Sequence, residues 1–146
     1  MVDVSEKATT VRQATAEGYL YTNASVLTQI SDAKIAKGDV FAVARVAGIQ
    51  GAKRCADLIP LCHPLALSKV DIGFQVEPEN GRIKATCFCK LSGKTGVEME
   101  ALTGVNIALL TLFDMCKAID PAMHIEGVKV LEKVGGKTGH WQNTSE

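Results

Sequence analysis

The strongest constraint on this chain is a pair of alternating segments joined by a turn dipeptide. Val70, Ile72, Phe74 and Val76 alternate with Lys69, Asp71, Gln75 and Glu77, the period of two of a half-buried strand. Asn80-Gly81 follows, a dipeptide that favours a type I′ hairpin turn. Ile83, Ala85, Cys87, Cys89 and Leu91 then resume the alternation. A hairpin with one apolar face needs a covering element. The chain supplies one directly: Ala101 to Phe113 carry no charge, and a helix is expected from Val97 to Ile119, stopped by Asp120-Pro121. That uncharged run is too short to span a bilayer and reads as a buried helix.

Weaker signals flank this centre. The first dozen residues are polar and read as an arm; Gly18 to Thr22 reads as a short strand. Thr22 or Asn23 can cap a helix over 24–34. A second helix is expected from Asp39, with Val40, Ala44, Ala47 and Ile49 near helical spacing, ending by Leu58-Ile59. There Pro60 and Pro64 bracket an extended loop. A last strand is expected over Ile125 to Leu131, before a glycine-rich polar tail. The order predicts an α+β fold of the ferredoxin-like βαββαβ type with an additional helix. Its antiparallel sheet would carry helices on one face, leaving the other polar face to solvent or a second subunit.

The 146 residues fit a single domain, and 47% hydrophobic residues suit a globular core. Sixteen basic and sixteen acidic residues cancel, and aromatics are 5%, which argues against nucleic acid and anionic membranes as partners. Any anion site must be built locally. The polar start, Met1 to Lys7, lacks an apolar leader segment, and five cysteines in largely apolar settings suit reduced thiols; a cytoplasmic location is expected. Cys87-Phe88-Cys89 lacks a second cysteine pair and the three histidines lie far apart, so no metal centre is expected.

Four constellations could carry chemistry. In Leu58-Ile59-Pro60-Leu61-Cys62-His63-Pro64-Leu65 the prolines stiffen the loop around His63, which is either an acid, base or donor, or a histidine held by backbone. Cys62 by itself reads as packing. Gly93-Lys94-Thr95-Gly96 opens the long helix and Gly136-Lys137-Thr138-Gly139 repeats the tetrad. Neither is a Walker A loop, because Phe88 and Leu131 stand where that motif needs glycine. Glu98 and Glu100 sit about 200° apart on a helix, so both face one ligand only if the segment is irregular; otherwise they complement the helix dipole. Asp114 and Lys117 are spaced i, i+3 at the edge of the uncharged run, where burial would make the lysine tunable. Scattered cations are Arg12, Lys37, Lys53, Arg54, Lys69, Lys94, Lys117, Lys133 and Lys137.

Together these motifs resemble the cyclic pyranopterin monophosphate synthase family, the molybdenum cofactor biosynthesis protein C family. The matching segments are Lys37-Gly38-Asp39-Val40, Ala47-Gly48-Ile49, Lys53-Arg54, Asp57 to Leu65, Gly93 to Thr103, Asp114-Met115-Cys116-Lys117-Ala118 and Gly135 to Gly139. The resemblance implies a ferredoxin-like subunit in a homohexamer, a trimer of dimers with active sites at subunit contacts. It implies conversion of 3′,8-cyclo-7,8-dihydroguanosine 5′-triphosphate into cyclic pyranopterin monophosphate with release of pyrophosphate. No cofactor is implied, beyond a divalent cation such as Mg accompanying the triphosphate. By similarity Asp114, Lys117 and Lys37 are catalytic. Cys62, His63, Glu98, Met99 and Glu100 belong to the pterin-side pocket, and Arg12, Lys53, Lys69 and Lys133 to the phosphates. The rival reading is a non-catalytic nucleotide- or pterin-binding ferredoxin-like module. A serine hydrolase built on Ser31-Asp32-Ala33-Lys34 is set aside, because the chain lacks its Ser-Asp-Asn element.

Overall fold

A computed structural model of the protein describes residues 1–144. Its elements are β1 (Thr10–Tyr21), α1 (Ala24–Ser31), α2 (Val40–Lys53), the single turn α3 (Cys55–Leu58), β2 (Lys69–Glu77), β3 (Arg82–Gly93), α4 (Glu98–Cys116), β4 (His124–Val134) and β5 (His140–Gln142). The sheet is antiparallel with order β2-β3-β1-β4-β5. Its first four strands reproduce the expected split arrangement.

β1 is longer than its sequence suggests. Residues 10–12, expected in the arm, and 13–17, expected in no element, form its first half, pairing from Thr10↔Gly93 along β3 and from Gln13↔Val134 along β4. The polarity misleads because the strand buries small residues, Ala14 and Ala16, on its helix side and presents Gln13 and Thr15 on the other. Arg12 also lies on the buried side, only 8% exposed. Residues 1–8 do precede the sheet, but Val2 and Ser5 are tied down through their carbonyls, to His63 and Lys94 respectively.

The helices start where their caps predict. Asn23 Oδ1 accepts from Val26 N–H at 3.0 Å and Asp39 Oδ1 from Ala42 N–H at 3.1 Å. Their ends differ from expectation. α1 stops at Ser31, because Ala33 adopts φ 56° and turns the chain. The expected single helix to Leu58 breaks at Arg54 into α2 and α3. α4 ends at Cys116 rather than Ile119. Asp120 then accepts from the Thr22 hydroxyl at 3.0 Å and Asn23 N–H at 3.1 Å, clipping the exit of α4 to the exit of β1.

The β2–β3 turn is a 3₁₀ turn over Pro78–Asn80 with Gly81 at φ 63°, not a type I′ turn. Pro78 fixes φ near helical values and starts a helical turn, leaving Gly81 alone to reverse the chain. The last long strand runs His124–Val134, beyond the expected Ile125–Leu131, and β5 was not anticipated.

Ile83, Ala85, Cys87, Cys89 and Leu91 all point into the core, as the alternation requires. α4 covers them with Ala101, Val105, Ala108, Leu109 and Leu112. α4 is long and apolar enough to cross a membrane by length and composition, but half of that stretch is buried within the domain. α2 packs close on α4 because the contact is made of small residues. A Cβ on Gly48 would lie 3.0 Å from the Gly104 carbonyl oxygen, and one on Gly104 would lie 2.6 Å from Cys87 Sγ. Gly104→Val therefore overpacks the junction of α2, α4 and β3. It is expected to cost about 1–3 kcal/mol, read as a lower urea midpoint with little change in slope.

Candidate functional site

α4 carries candidate residues at both ends, and the two ends differ in chemistry. At its N-terminus lies a cavity of about 960 Å³ lined by Arg12, Glu98 and Lys133, with Lys7 and Lys137 adding to its cationic side and Thr138 beside them. Arg12 Nη2 donates to the Lys94 carbonyl at 3.2 Å. Lys133 reaches the cavity from β4, in register with Ala14 of the central strand.

Glu98 and Glu100 do not share this cavity. The helix is regular from Glu98 on, so the 200° offset sends Glu100 inward, where it is 4% exposed. Glu100 lines a second, smaller cavity of about 100 Å³ with Lys53, Arg54, Cys55 and Pro64. Burial raises the Glu100 carboxyl above the ordinary glutamate value; hydrogen bonds from backbone and Cys55 oppose this. Burial likewise pushes the Cys55 thiol up to about 11, so this cysteine is a packed, protonated neighbour that also accepts from the Thr103 hydroxyl at 3.4 Å. Met99 stands between the two glutamates and is exposed.

The His63 loop borders the second cavity through Pro64 and Leu65. His63 itself is partly buried, and its Nε2 lies 2.6 Å from the Val2 carbonyl oxygen. Cys62 is partly buried and its N–H donates to the Ile59 carbonyl at 3.1 Å. Lys69 lines neither of these cavities; it pairs with Asp71 at 3.3 Å and stands over the Phe88 ring on the open face of the sheet.

The C-terminal end of α4 holds a three-residue cluster. Asp114 Oδ1 accepts from Lys117 Nζ at 3.0 Å, and Asp114 Oδ2 from Lys37 Nζ at 3.0 Å. Lys37 also donates to the Asp114 main-chain carbonyl at 3.1 Å. Lys37 comes from the turn between α1 and α2, so only the folded chain assembles the trio. The lysines hold the Asp114 carboxyl below its ordinary value, by hydrogen bonds first and charge second. All three side chains are at least half exposed in the single chain. That corrects the expectation of a buried Asp114–Lys117 pair: the helix ends at Cys116, and its last turn buries Met115 and Cys116 while Asp114 lies on the outward face.

A profile of the MoaC family matches residues 1–136. The chain belongs to the MoaC family. It is an enzyme of molybdenum cofactor biosynthesis. The family match spans the arm, the candidate site residues up to Lys133 and the start of the glycine loop, ending before Lys137 and Thr138. Reasoning from sequence did not select Lys7 in this MoaC-family chain, because nothing in the polar arm marks it out; Arg54, one of the scattered cations, lines the Glu100 cavity, and Thr138, from the second tetrad, lines the larger one.

Glu100 yields a test of sign. Its raised value means the folded state binds its proton more tightly than the unfolded chain. The associated stability is present below the ordinary glutamate value and lost as pH rises through the elevated one. Glu100→Gln removes that loss. The variant is expected to unfold at a higher temperature than wild type at pH 7, with the gap closing by pH 4; a constant gap across this range would contradict the assignment.

Proposed function

We propose that this MoaC-family enzyme converts (8S)-3′,8-cyclo-7,8-dihydroguanosine 5′-triphosphate into cyclic pyranopterin monophosphate with release of pyrophosphate, as a phosphorus–oxygen lyase. The observation that carries this reading is Asp114 held between Lys37 and Lys117. Rearranging the purine requires protons to leave and join ring nitrogen and carbon, and closing the cyclic phosphate requires a hydroxyl to lose its proton. A carboxylate kept ionised beside two ammonium groups offers a base and two acids within one hydrogen-bond network. Glu100 and His63 suit the guanine-derived ring, whose N–H and amino groups donate to carboxylates. Arg12 and Lys133 suit the phosphates, with any divalent cation arriving on the substrate.

The same geometry supports a shared site. Glu98 and Asp114 lie at opposite ends of α4, sixteen residues and so about 24 Å apart along the axis at 1.5 Å per residue. One nucleotide does not reach from the N-terminal cavity to the C-terminal cluster of the same chain. A homohexamer, a trimer of dimers acting in the cytoplasm, would bring the phosphate cavity of one subunit beside the acid–base cluster of another. The exposure of Asp114, Lys37 and Lys117 in the single chain fits such a contact. The alternative, a non-catalytic nucleotide- or pterin-binding module, leaves this trio without a purpose.

The decisive assay incubates the protein with enzymatically prepared 3′,8-cyclo-7,8-dihydroguanosine 5′-triphosphate and follows pyrophosphate and pterin by mass spectrometry. Equal amounts of both are expected. Lys117→Ala should lower turnover by about 10²–10⁴-fold with unchanged circular dichroism and unchanged oligomeric mass. Undiminished product from that variant would remove Lys117 from the mechanism.

A further inference from the structure

Glu100 is a carboxyl carried inside the fold, 4% exposed, and a buried group of that kind needs hydrogen-bond donors. Lys53, Arg54 and Asp57 line the same 100 Å³ cavity. Neither cation forms an ion pair with Glu100 among the described residues. The side chain that does hydrogen-bond the carboxyl is Cys55.

The fold builds this contact from two directions. Glu100 and Thr103 are three residues apart on α4 and so neighbours on one face. The Thr103 hydroxyl donates to Cys55 Sγ at 3.4 Å, which sets the sulfur within one helical turn of Glu100, on the wall of the cavity that Cys55 and Glu100 both line. Cys55 reaches α4 because α2 breaks at Arg54 and the chain restarts as α3 with Cys55, 1% exposed. The same short stretch leads into the His63 loop: Ile59 N–H donates to the Cys55 carbonyl at 2.8 Å, and Cys62 N–H to the Ile59 carbonyl at 3.1 Å. Cys55 thus ties the loop that carries His63 to the helix that carries Glu100.

The chemistry of sulfur suits the place. A thiol that accepts from Thr103 keeps its own S–H for a second partner. Burial holds the Cys55 thiol protonated across the neutral range, so that donor is always present. Of the other titratable neighbours, Glu98 on the same helix opposes the charge on Glu100, and Cys89 from β3 is engaged with Cys87, the two sulfurs 3.8 Å apart.

We propose that Cys55 is a positioning residue for the reaction: anchored by Thr103, its thiol donates to Glu100 and fixes that carboxylate, and with it the His63 loop, against the substrate's ring. The role rests on the reading that Glu100 accepts from the ring's N–H and amino groups, which an ionised and oriented carboxylate does with both oxygens. It adds Cys55 and Thr103, neither of which touches substrate, to the residues on which that pocket depends.

The test follows thermal unfolding of the full-length assembled protein at pH 4 and pH 8. A donor stabilises the charged carboxylate, so losing it lifts the folded-state value of Glu100 further and enlarges the stability lost as pH rises through it. Cys55→Ala is therefore expected to lose more melting temperature at pH 8 than at pH 4. In a Glu100→Gln background its two losses should be equal. Cys55→Ser, which keeps a donor of similar size, should restore the wild-type pH dependence. Cys116→Ala removes a buried thiol from the far end of α4 and should cost the same at both pH values. If Cys55→Ala does not fold, Thr103→Val carries the same test, because it leaves the thiol in place without its anchor and should act with the same sign. With the cyclic triphosphate, the acid limb of kcat/KM should move up by about one pH unit in Cys55→Ala, a tenfold change in the ionisation equilibrium, and return in Cys55→Ser. Equal losses at both pH values, or a pH-dependent loss that persists with Glu100→Gln, overturn the role even if turnover is intact. A Glu100-dependent loss in a protein unable to turn over the cyclic nucleotide keeps the Cys55 contact and sinks the reaction.

Discussion

Everything in this structure hangs on β1 being bonded on both sides. A strand with antiparallel partners at both edges satisfies its backbone groups within the sheet, and β1 has β3 on one flank and β4 on the other. α4 crosses above it so closely that a Cβ on Gly18 would lie 2.7 Å from Leu109 Cδ1. That contact sets the height of α4 over the sheet, and α4 in turn carries Glu98, Glu100, Asp114 and Lys117. A shift of β1 by one residue would turn Arg12 to the open face and exchange every buried alanine for a polar neighbour. The position of each candidate residue is therefore a consequence of one register.

The electrostatics follow a division of labour along α4. Its N-terminal end is surrounded by cations from β1, β4, the arm and the glycine loop, while its C-terminal end presents a single carboxylate shared by two lysines. The middle of the helix carries no charge. An overall neutral protein thereby keeps two strongly polar ends separated by an apolar rod.

How much of this was legible in the sequence depended on range. The β2–β3 alternation and the uncharged stretch of α4 are local patterns, and the core follows them residue by residue. The separation of Glu98 from Glu100 was implicit in helix geometry. β1 was half hidden because its inward residues are alanines, too small to register as an apolar pattern, and because Arg12 sits among them. β5 is three residues long and exists only because β4 offers an edge; Lys133↔Trp141 is a pairing no local propensity announces. The turn at Asn80-Gly81 shows one local rule overriding another, Pro78 against the hairpin dipeptide. The Lys37–Asp114 contact and the meeting of the two tetrads join residues far apart in the chain, so composition and spacing carried no trace of them.

The long reach of these pairings has a thermodynamic corollary. Thr10 meets Gly93 and Gln13 meets Val134 only when the central strand is in place, so the unfolded chain contains no fragment of the cavity around Arg12. Whatever polyanion enters it binds the native state alone, and mass action then couples occupancy to the folding of the whole domain: a ligand at a hundred times its dissociation constant adds about 2.7 kcal/mol. The domain's resistance to unfolding would accordingly rise and fall with the supply of any such ligand.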